Sequence, residues 1–325
     1  MSIDVRQFGK IGVLMGGYSS EREISLKSGQ AIFDALREQG CDVVALDIQK
    51  HDDGDIVAFI KKADIDLAFI ALHGALGEDG RIQQILEKLQ IPYTGSGVKA
   101  SQTALNKIKT QNLMKKHGIQ VPAHVTVSRG QNLEWKQLNN KLGAAPFVVK
   151  PNCEGSSVGV SIVRDKDSLH PALEQALEYG DQILIDKFIK GREMTVGILD
   201  HEALPIVEVL HKREFFDFTA KYQKGLTDYR VPADIPPHTA SELQHIALKA
   251  HNLLGCRDFS RIDFILDDQG TAYLLEVNTI PGFTATSLLP KAAHCRGLNF
   301  HQLCLKIVEL AYGKKKEYSP TPSVS

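Results

Sequence analysis

The chain has 325 residues, of which 43% are hydrophobic and 24% charged, a composition typical of a soluble globular protein with two or three domains. Its formal net charge of −1 at pH 7 argues against nucleic-acid partners, and no stretch resembles a signal peptide or the ~20 apolar residues of a membrane span. Five scattered cysteines without a C-x-x-C pair fit reduced thiols, so we expect a cytoplasmic protein with neither membrane nor nucleic-acid partners.

The region 1–100 alternates strand and helix patterns. A helix is expected after the first strand, with Ser28 as its N-terminal cap and apolar residues at helical spacing behind it. A second helix is expected after the third strand, from Ile82 to Leu89. This order favours a parallel sheet with ligand loops at the carboxyl ends of its strands. The expected strands lie at 10–15, 42–47 and 67–72, and the glycine-rich loops at 16–23 and 72–80.

The region 101–186 begins with a basic stretch that predicts one helix from about Ser101 to His117. Two strands are then expected on either side of a Gly/Ser loop, followed by a helix and one further strand. These four elements are predicted at 146–150, 158–163, 168–178 and 182–188.

From residue 187 onward the pattern is rich in strands, crossed by one helix. That helix is expected to begin at Ser241, with a capping box to Gln244, and to end at Gly255. The segment 215–237 is long, polar and without periodicity, which predicts a lid or binding segment. The expected domains are therefore 1–100, 101–186 and 187–312, followed by a disordered tail at 313–325.

Polar side chains recur on one face of a predicted β-hairpin. Residues two apart on a strand point the same way, so Glu276 and Asn278 share a face, which Asp263 joins from the neighbouring strand. Arg261 lies two residues before Asp263 and shares its face. Carboxylate and amide oxygens suit Mg²⁺, and a metal beside an arginine is typical of a phosphoryl-transfer site. The alternative is a solvated polar face of an edge hairpin.

Two short motifs point to other functions but lack the required context. Gly95–Ala100 resembles a dinucleotide-binding turn, yet no Asp or Glu occurs from 101 to 133, where the ribose-binding acid belongs. Gly155–Gly159 matches the G-x-S-x-G of serine hydrolases, but a strand and not a helix is expected to follow it. A Walker A motif is also absent, so a nucleotide site must be built in another way.

The Gly/Ser loop is the candidate phosphate site. Lys150 ends a predicted strand, and Glu154-Gly-Ser-Ser157 follows with backbone N–H groups and small hydroxyls that suit phosphate oxygens. Lys107 and Lys150 could supply point charges. The alternative for each lysine taken alone is a solvated surface residue.

Several of these segments together resemble the ATP-grasp enzymes: Lys150 with Glu154–Ser157, Asp186–Ile189, Glu193, Arg261–Asp263 and Glu276–Asn278. Further segments narrow the resemblance to the D-alanine–D-alanine ligase family. They are 16–26, 71–80, 93–97, Lys221–Tyr222 and 278–284, so the resemblance runs in order from about residue 10 to 312.

The resemblance implies an N-terminal parallel-sheet, Rossmann-like α/β domain followed by a two-subdomain ATP-grasp fold of α+β type. It implies ligation of two D-alanines with ATP through a D-alanyl phosphate, for peptidoglycan precursors. It further implies two Mg²⁺ ions, with Mn²⁺ as a substitute, held by Asp263, Glu276 and Asn278, and a homodimer.

The family's site residues carry over to matching positions. Glu21 would hold the ammonium of the first D-alanine, with His73 nearby, and would form a hydrogen-bonded chain with Ser156 and Tyr222. Arg261 and the Gly282 N–H would stabilise the tetrahedral oxyanion, Lys221 would assist the transferring phosphoryl group, and Ser287 with Leu288 would take the second substrate's carboxylate. The expected ATP-binding residues are Lys107, Lys150, Glu154, Ser156, Ser157, Asp186, Lys187, Ile189 and Glu193.

Local alternatives accompany three of these residues: a helix N-cap for Ser287, a first-turn helix acid for Glu21 and a structural loop histidine for His73. Asp186 stands where the family more often has glutamate, one methylene longer, to contact the adenine amino group. Tyr222 favours a dipeptide product over the D-alanine–D-lactate alternative. A third alternative, a degenerate nucleotide-binding regulatory protein, predicts the loss of a metal ligand or of Arg261, and none is lost.

Overall fold

The structure is a computed structural model that describes residues 4–49, 52–211 and 227–314. Its described strands form three sheets, the first parallel and the other two antiparallel. The α/β character expected for the N-terminal region and the α+β character expected beyond it are thereby confirmed. None of the described helices is both long and apolar enough to cross a bilayer.

The N-terminal sheet has the strand order β2-β1-β3, and every residue of its central strand is buried. The first helix begins at Arg22 and not behind Ser28, so the cap predicted at Ser28 is wrong. Ser28 lies inside that helix and is buried. Its hydroxyl does not cap the helix but accepts a hydrogen bond from the Phe283 N–H. The elements are β1 (Ile11–Gly16), α1 (Arg22–Glu38), β2 (Val43–Ile48), α2 (Asp53–Ala63), β3 (Leu67–Ile70) and α3 (Arg81–Lys88).

The second sheet has the order β4-β7-β5-β6 and packs on two helices. The single helix predicted from Ser101 to His117 is wrong, since two helices meet at Asn106, which has an extended conformation. The Asn106 side chain accepts from the Lys109 N–H and so caps the second of them. The elements are α4 (Val98–Leu105), α5 (Lys107–Lys116), β4 (His124–Ser128), α6 (Trp135–Leu142), β5 (Phe147–Pro151), β6 (Ser161–Val163), α7 (Lys166–Leu177) and β7 (Gln182–Lys187).

The third sheet has the order β11-β10-β8-β12-β13, with β9 paired to β8. Its crossing helix ends at Gly255 as predicted, with a left-handed φ of 71°. The predicted start at Ser241 is wrong, because the helix already begins at Pro237, which suits the first helical position. The elements are β8 (Gly191–Leu199), β9 (Glu202–Ala203), β10 (Val207–His211), β11 (Thr227–Arg230), α8 (Pro237–Leu254), β12 (Phe259–Asp267), β13 (Ala272–Asn278), α9 (Leu288–Cys295) and α10 (Phe300–Gly313).

Helix α10 packs on the N-terminal sheet and not on the third one. Ile307 and Val308 share a buried cluster with Ile11 and Ile32, and the rings of Phe8 and Tyr312 lie 5.3 Å apart. The domain boundaries predicted from the sequence stay a prediction, as does the lid. Residues 215–226 of the predicted lid and 315–325 of the predicted tail lie outside the described residues. In the described parts, residues 227–230 of the lid segment form strand β11, and Gly313 ends α10 and is not disordered.

Candidate active site

A cleft between the second and third sheets gathers predicted site residues from both. The second sheet contributes residues of β5 and β7, and the third sheet contributes residues of β8, β12 and β13. The phosphate loop and the first residue of α5 close one end. The predicted residues that line the cleft are Lys107, Lys150, Glu154, Ser157, Asp186, Lys187, Ile189, Glu193, Arg261, Asp263, Glu276 and Leu288.

The hairpin of β12 and β13 brings the expected metal ligands together. Asp263 lies opposite Glu276 and Arg261 opposite Asn278 in the ladder, as the alternation of side chains predicted. The side chains of Arg261 and Asp263, on strand β12 next to the edge strand β13, are only 16% and 21% exposed. This partial burial argues against the alternative of a solvated polar face.

The Asp263 carboxylate accepts hydrogen bonds from three neighbours. Arg261 donates from Nε at 2.8 Å and from its terminal nitrogen at 2.7 Å, and the Asn278 amide donates at 2.9 Å. The third donor, the Thr195 hydroxyl at 2.5 Å, was not found by the sequence analysis. Thr195 is opposite Asp263 in the β8–β12 pairing, which joins strands far apart in the chain and leaves no local signal.

The donor set fits a hard divalent cation that is shared with phosphate. Among the described residues, no three His, Cys, Asp or Glu side chains form a metal-binding group by themselves. The candidate set is two carboxylates and one amide, a number that leaves positions for phosphate and water, as Mg²⁺ requires. Asn278 donates to Asp263 through its amide nitrogen, so its amide oxygen is left for a metal ion.

Lys107 connects the phosphate loop to this set. Its buried amine donates to the Glu154 carbonyl at 2.6 Å and lies 3.1 Å from a Glu276 carboxylate oxygen. Burial, the largest influence, lowers the pKa of the Lys107 amine, but Glu276 and neighbouring acids outweigh it and raise that pKa above its ordinary value. The amine is therefore a permanent positive charge where phosphate would enter.

The cleft also holds a buried carboxylate with one unused oxygen. Lys150 lies 2.6 Å from Asp186 Oδ2, and the Gln111 amide donates to the same oxygen at 3.3 Å. Asp186 Oδ1 is buried and has no partner among the described residues. Such a group is costly unless a ligand or water supplies a donor, so this oxygen fits an amino group such as that of adenine.

The residues that follow Asp186 also line the cleft. The Lys187 N–H is already bonded to the Ala123 carbonyl at 2.7 Å, and its ammonium donates to the Ala144 carbonyl. Ile189 and Glu193 line the cleft as well. The contact of these residues with a nucleotide, and of Lys150 with its phosphates, stays a prediction.

Glu21 and Ser156 meet across the interface between the first two sheets. The Ser156 hydroxyl donates to the Glu21 carboxylate, which is buried. Glu21 occupies the N-cap position of α1 but makes no capping bond, because its side chain points to the loop instead. A Cβ on Gly155 would lie 2.7 Å from Glu21 Oε2, so a larger residue there would displace the Glu21 carboxylate. The other expected partners, Lys221 and Tyr222, lie outside the described residues.

The phosphate loop is held in an unusual backbone conformation. Ser156 has φ 49° and Ser157 has φ 60°, both in the left-handed region that side chains rarely adopt. Such conformations persist only where surroundings enforce them, and they cluster at ligand sites. The strand–loop–strand context of β5 and β6 also confirms that this is not a serine-hydrolase elbow.

His73 is engaged at both ring nitrogens. Nδ1 lies 2.9 Å from the Ile280 carbonyl and Nε2 lies 3.1 Å from the Ser28 hydroxyl. This geometry favours the structural role over direct substrate contact, which stays a prediction. Glu78, which the sequence analysis missed although it lies in the second glycine-rich loop, is 3.6 Å from Nδ1. Burial raises the pKa of the Glu78 carboxyl, and the His73 contact opposes that rise.

The start of α9 faces the cleft. Ser287 is the N-cap residue, as the alternative proposed, yet its hydroxyl makes no capping bond and accepts the Thr284 N–H at 3.0 Å. Leu288 is the first helical residue, so its N–H has no partner within the helix and suits a carboxylate. Gly282 precedes this turn, half-buried in the segment between β13 and α9.

Cys153 offers a chemical test of the phosphate loop. Its side chain is exposed, but packing in the loop raises the pKa of the thiol, while Lys107 partly opposes that rise. Because the thiolate is the reactive form, iodoacetamide modification is expected to be slow at pH 7 and to keep accelerating above the ordinary thiol pKa of ~8.5. We expect modification to inhibit the enzyme and ATP to protect it, with Cys153→Ser as the resistant control. Full activity after complete modification of Cys153 would refute this role.

Comparisons with known proteins agree with this geometry. Residues 10–55 and 54–96 match the family profile described as D-ala D-ala ligase N-terminus, and residues 113–309 match D-ala D-ala ligase C-terminus. A D-alanine–D-alanine ligase of Geotalea uraniireducens is 44% identical over 311 residues, which are 96% of this chain and 98% of the relative.

Two solved structures are similar over nearly the whole chain. D-alanine–D-alanine ligase from Bacillus anthracis complexed with ATP has a TM-score of 0.83 at 35% identity, covering 95% of this chain and 99% of that one. VanG D-Ala:D-Ser ligase from Enterococcus faecalis has a TM-score of 0.76 at 28% identity, covering 93% and 99%.

Proposed function

The chain belongs to the D-alanine–D-alanine ligase family, and from that premise we propose that its cleft joins two D-alanines with ATP for peptidoglycan precursors. The observation that carries the proposal is the arrangement of the cleft. The cleft is lined by an oxygen-donor set with a fixed arginine and also by buried Asp186, which has one unpaired oxygen. This combination suits a nucleotide whose phosphates meet the donor set while its base reaches Asp186.

The phosphates of ATP would lie beside Lys107 and the Ser156–Ser157 loop. Asp263, Glu276 and Asn278 would hold two Mg²⁺ ions, or Mn²⁺ as substitutes, which would offset the negative charge of the reacting groups. Lys107 contributes a positive charge from the opposite side, bound to both the loop and Glu276. Lys150 and Asp186, both buried, form an ion pair at 2.6 Å in the same cleft, and the second Asp186 oxygen would meet the base.

The first D-alanine would place its ammonium on Glu21. A carboxylate oxygen then attacks the γ-phosphorus of ATP, an O–P bond forms, and the bond to ADP breaks, giving D-alanyl phosphate and ADP. The hydrogen bond from Ser156 to Glu21 fixes the phosphate loop against this substrate site. The loop and the first substrate are therefore held by one carboxylate.

The second D-alanine would bind with its carboxylate on the Leu288 N–H and the Ser287 turn. Its neutral amine attacks the acyl carbon, and the oxygen becomes an oxyanion between Arg261 and the Gly282 N–H. Collapse expels inorganic phosphate and forms the peptide bond, and the amine loses a proton. Arg261 is suited to this role because Asp263 holds its guanidinium at two points.

The function is tested by phosphate release from ATP and Mg²⁺, with products identified by mass. D-alanine alone is expected to give D-alanyl-D-alanine, and L-alanine is expected to give no turnover. D-lactate and D-serine are added with D-alanine because related ligases differ in the second substrate, and Tyr222 favours the dipeptide of two D-alanines. Turnover only with another acid or amine would overturn the substrate assignment, and no turnover at all would favour the regulatory alternative.

Asp186 predicts a preference for adenine over hypoxanthine. Its Oδ1 can accept from the amino group of ATP but faces a carbonyl oxygen in ITP. Asp186→Asn, whose amide can also donate, is expected to lower the ATP/ITP ratio of kcat/KM by about tenfold or more. Glu193→Gln is the control, since both nucleotides carry the same ribose and the ratio should stay constant. An unchanged ratio in Asp186→Asn would place the base elsewhere.

Membership in the family also bears on the cellular location and the oligomeric state. Both the substrates and the product are small, polar molecules, and peptidoglycan precursors are assembled from cytoplasmic ATP. We propose a cytoplasmic enzyme that acts as a homodimer, as its family membership implies. Gel filtration with light scattering at micromolar concentration tests the dimer directly.

A further inference from the structure

Ser28 lies at the junction between helix α1 and the loop that follows β13. It is buried in the interior of α1, seven residues after Glu21, so both side chains lie on the same helix face two turns apart. Neither the family motifs nor the sequence pattern gives Ser28 a role beyond helix capping, which the structure excludes.

The Ser28 hydroxyl belongs to a hydrogen-bonded group that joins α1 to the segment after β13. The Phe283 N–H donates to Ser28 Oγ at 3.2 Å, and Ser28 Oγ lies 3.1 Å from His73 Nε2. His73 Nδ1 lies 2.9 Å from the Ile280 carbonyl, which can only accept, so Nδ1 donates to it. Ser28 and His73 together therefore contact the backbone of Ile280 and of Phe283.

The two backbone groups that Ser28 and His73 contact lie on either side of Gly282. The Ile280 carbonyl is held through His73 and the Phe283 N–H directly by Ser28, with only Pro281 and Gly282 between. The Phe283 ring adds an anchor among Phe69, Phe259 and Phe300, at centroid distances of 5.9, 5.9 and 5.7 Å. Gly282 itself has open space on its Cα side, since a Cβ there would meet only Ser287 Oγ, at 3.6 Å.

We propose that Ser28 is a positioning residue that fixes the Gly282 N–H where the oxyanion forms; this rests on the proposed function. A hydrogen-bond donor stabilises a developing negative charge well only if it already points to where that charge forms, because reorienting the donor during the reaction costs free energy. Gly282 has no side chain that could fix the direction of its own N–H. The hydrogen bonds to the Ile280 carbonyl and the Phe283 N–H, which we call the clamp, fix the backbone on either side of it. Because α1 also carries Glu21, the first-substrate site and the oxyanion site share one rigid element.

The chain contains a matched control on the same helix. Ser25 is also buried and also bridges two backbone groups, accepting from the Gly16 N–H at 2.9 Å and donating to the Ala71 carbonyl at 2.7 Å. Its bonds tie α1 to β1 and to the end of β3 and do not touch the segment 280–283. Ser25→Ala therefore removes a comparable pair of hydrogen bonds without loosening the clamp.

The experiment compares Ser28→Ala, Ser28→Cys and Ser25→Ala with the wild type. We expect Ser28→Ala to lower kcat by about tenfold or more, since a misplaced oxyanion donor costs ~10²–10³ when lost completely. Binding of a tetrahedral phosphinate analogue of the dipeptide should weaken by a similar factor, while KM for the first D-alanine changes less than about twofold. Ser28→Cys, which keeps the volume and a weak donor, should be intermediate.

Amide hydrogen exchange supplies a readout independent of turnover. Residues 279–283 should exchange faster in Ser28→Ala but not in Ser25→Ala, even if both variants lose similar thermal stability. Unchanged exchange, or equal loss of substrate and phosphinate binding, would overturn the proposal. A wild-type enzyme that makes no dipeptide would instead overturn the proposed function, with the exchange result still deciding whether the clamp exists.

Discussion

Asp263→Asn is expected to lower kcat for dipeptide synthesis by about a thousandfold, because several kcal/mol of charge stabilisation would be lost. The substitution removes one carboxylate from a donor set of two carboxylates and an amide. It also removes the charge that holds Arg261 at two points, so two functions fail together. Steady-state kinetics over a range of Mg²⁺ and Mn²⁺ concentrations measure the effect, and the metal concentration for half-maximal rate should rise.

Asp267→Asn is the control for this prediction. Asp267 lies at the end of the same strand and accepts from the Gln269 and Thr271 N–H groups in the hairpin turn, away from the cleft. An asparagine can keep those bonds through its carbonyl, so activity should stay close to that of the wild type. If Asp263→Asn retained wild-type metal dependence, the ions would not be bound at this hairpin.

Arg261→Lys is expected to lower kcat by about 10²–10³-fold with little change in KM for ATP. The substitution keeps the positive charge but loses the planar fork, which matches both oxygens of Asp263 at 2.8 and 2.7 Å. A lysine ammonium would bond one oxygen and leave its position free to vary. Rapid-quench kinetics should show that D-alanyl phosphate still forms while its conversion to dipeptide slows.

The matched control is Arg296→Lys. Arg296 donates to Glu202 at 2.8 Å, but its side chain is 50% exposed and the pair lies on the surface. Exposed pairs of this kind contribute ~0–1 kcal/mol, so the control should be nearly silent in both rate and stability. Equal slowing of both chemical steps by Arg261→Lys would assign the arginine to nucleotide binding instead of the oxyanion.

Local sequence pattern was sufficient to predict the hairpin that carries the candidate metal ligands. Alternation along a strand fixes Glu276 and Asn278 on one face, and a short turn brings Asp263 opposite, so no distant contact is needed. The same reasoning could not find Thr195, whose place beside Asp263 depends on the pairing of β8 with β12. Non-local strand pairing is decided by the whole sheet and has no signature in either segment.

The corrections to helix ends have a related cause. Ser28 followed by apolar spacing looks like a helix start, but α1 begins earlier because tertiary contacts use its buried hydroxyl elsewhere. Asn106 inside an otherwise helical stretch caps α5 through its side chain, which splits the predicted helix in two and puts Lys107 at a helix start. In both places a hydrogen bond from a polar side chain decided where the helix begins or ends.

Helix α10 supplies part of the core that packs on the N-terminal sheet, although the strands of both other sheets lie between the two in the sequence. Polypeptides leave the ribosome N-terminus first, so strands β1 to β3 emerge long before residues 300–313 exist. During translation the apolar face of α1 that Ile307 and Val308 will cover remains open to solvent and to chaperones. A nascent chain stopped before residue 300 would thus carry an exposed apolar surface on its N-terminal region, which is covered only once α10 has been synthesised.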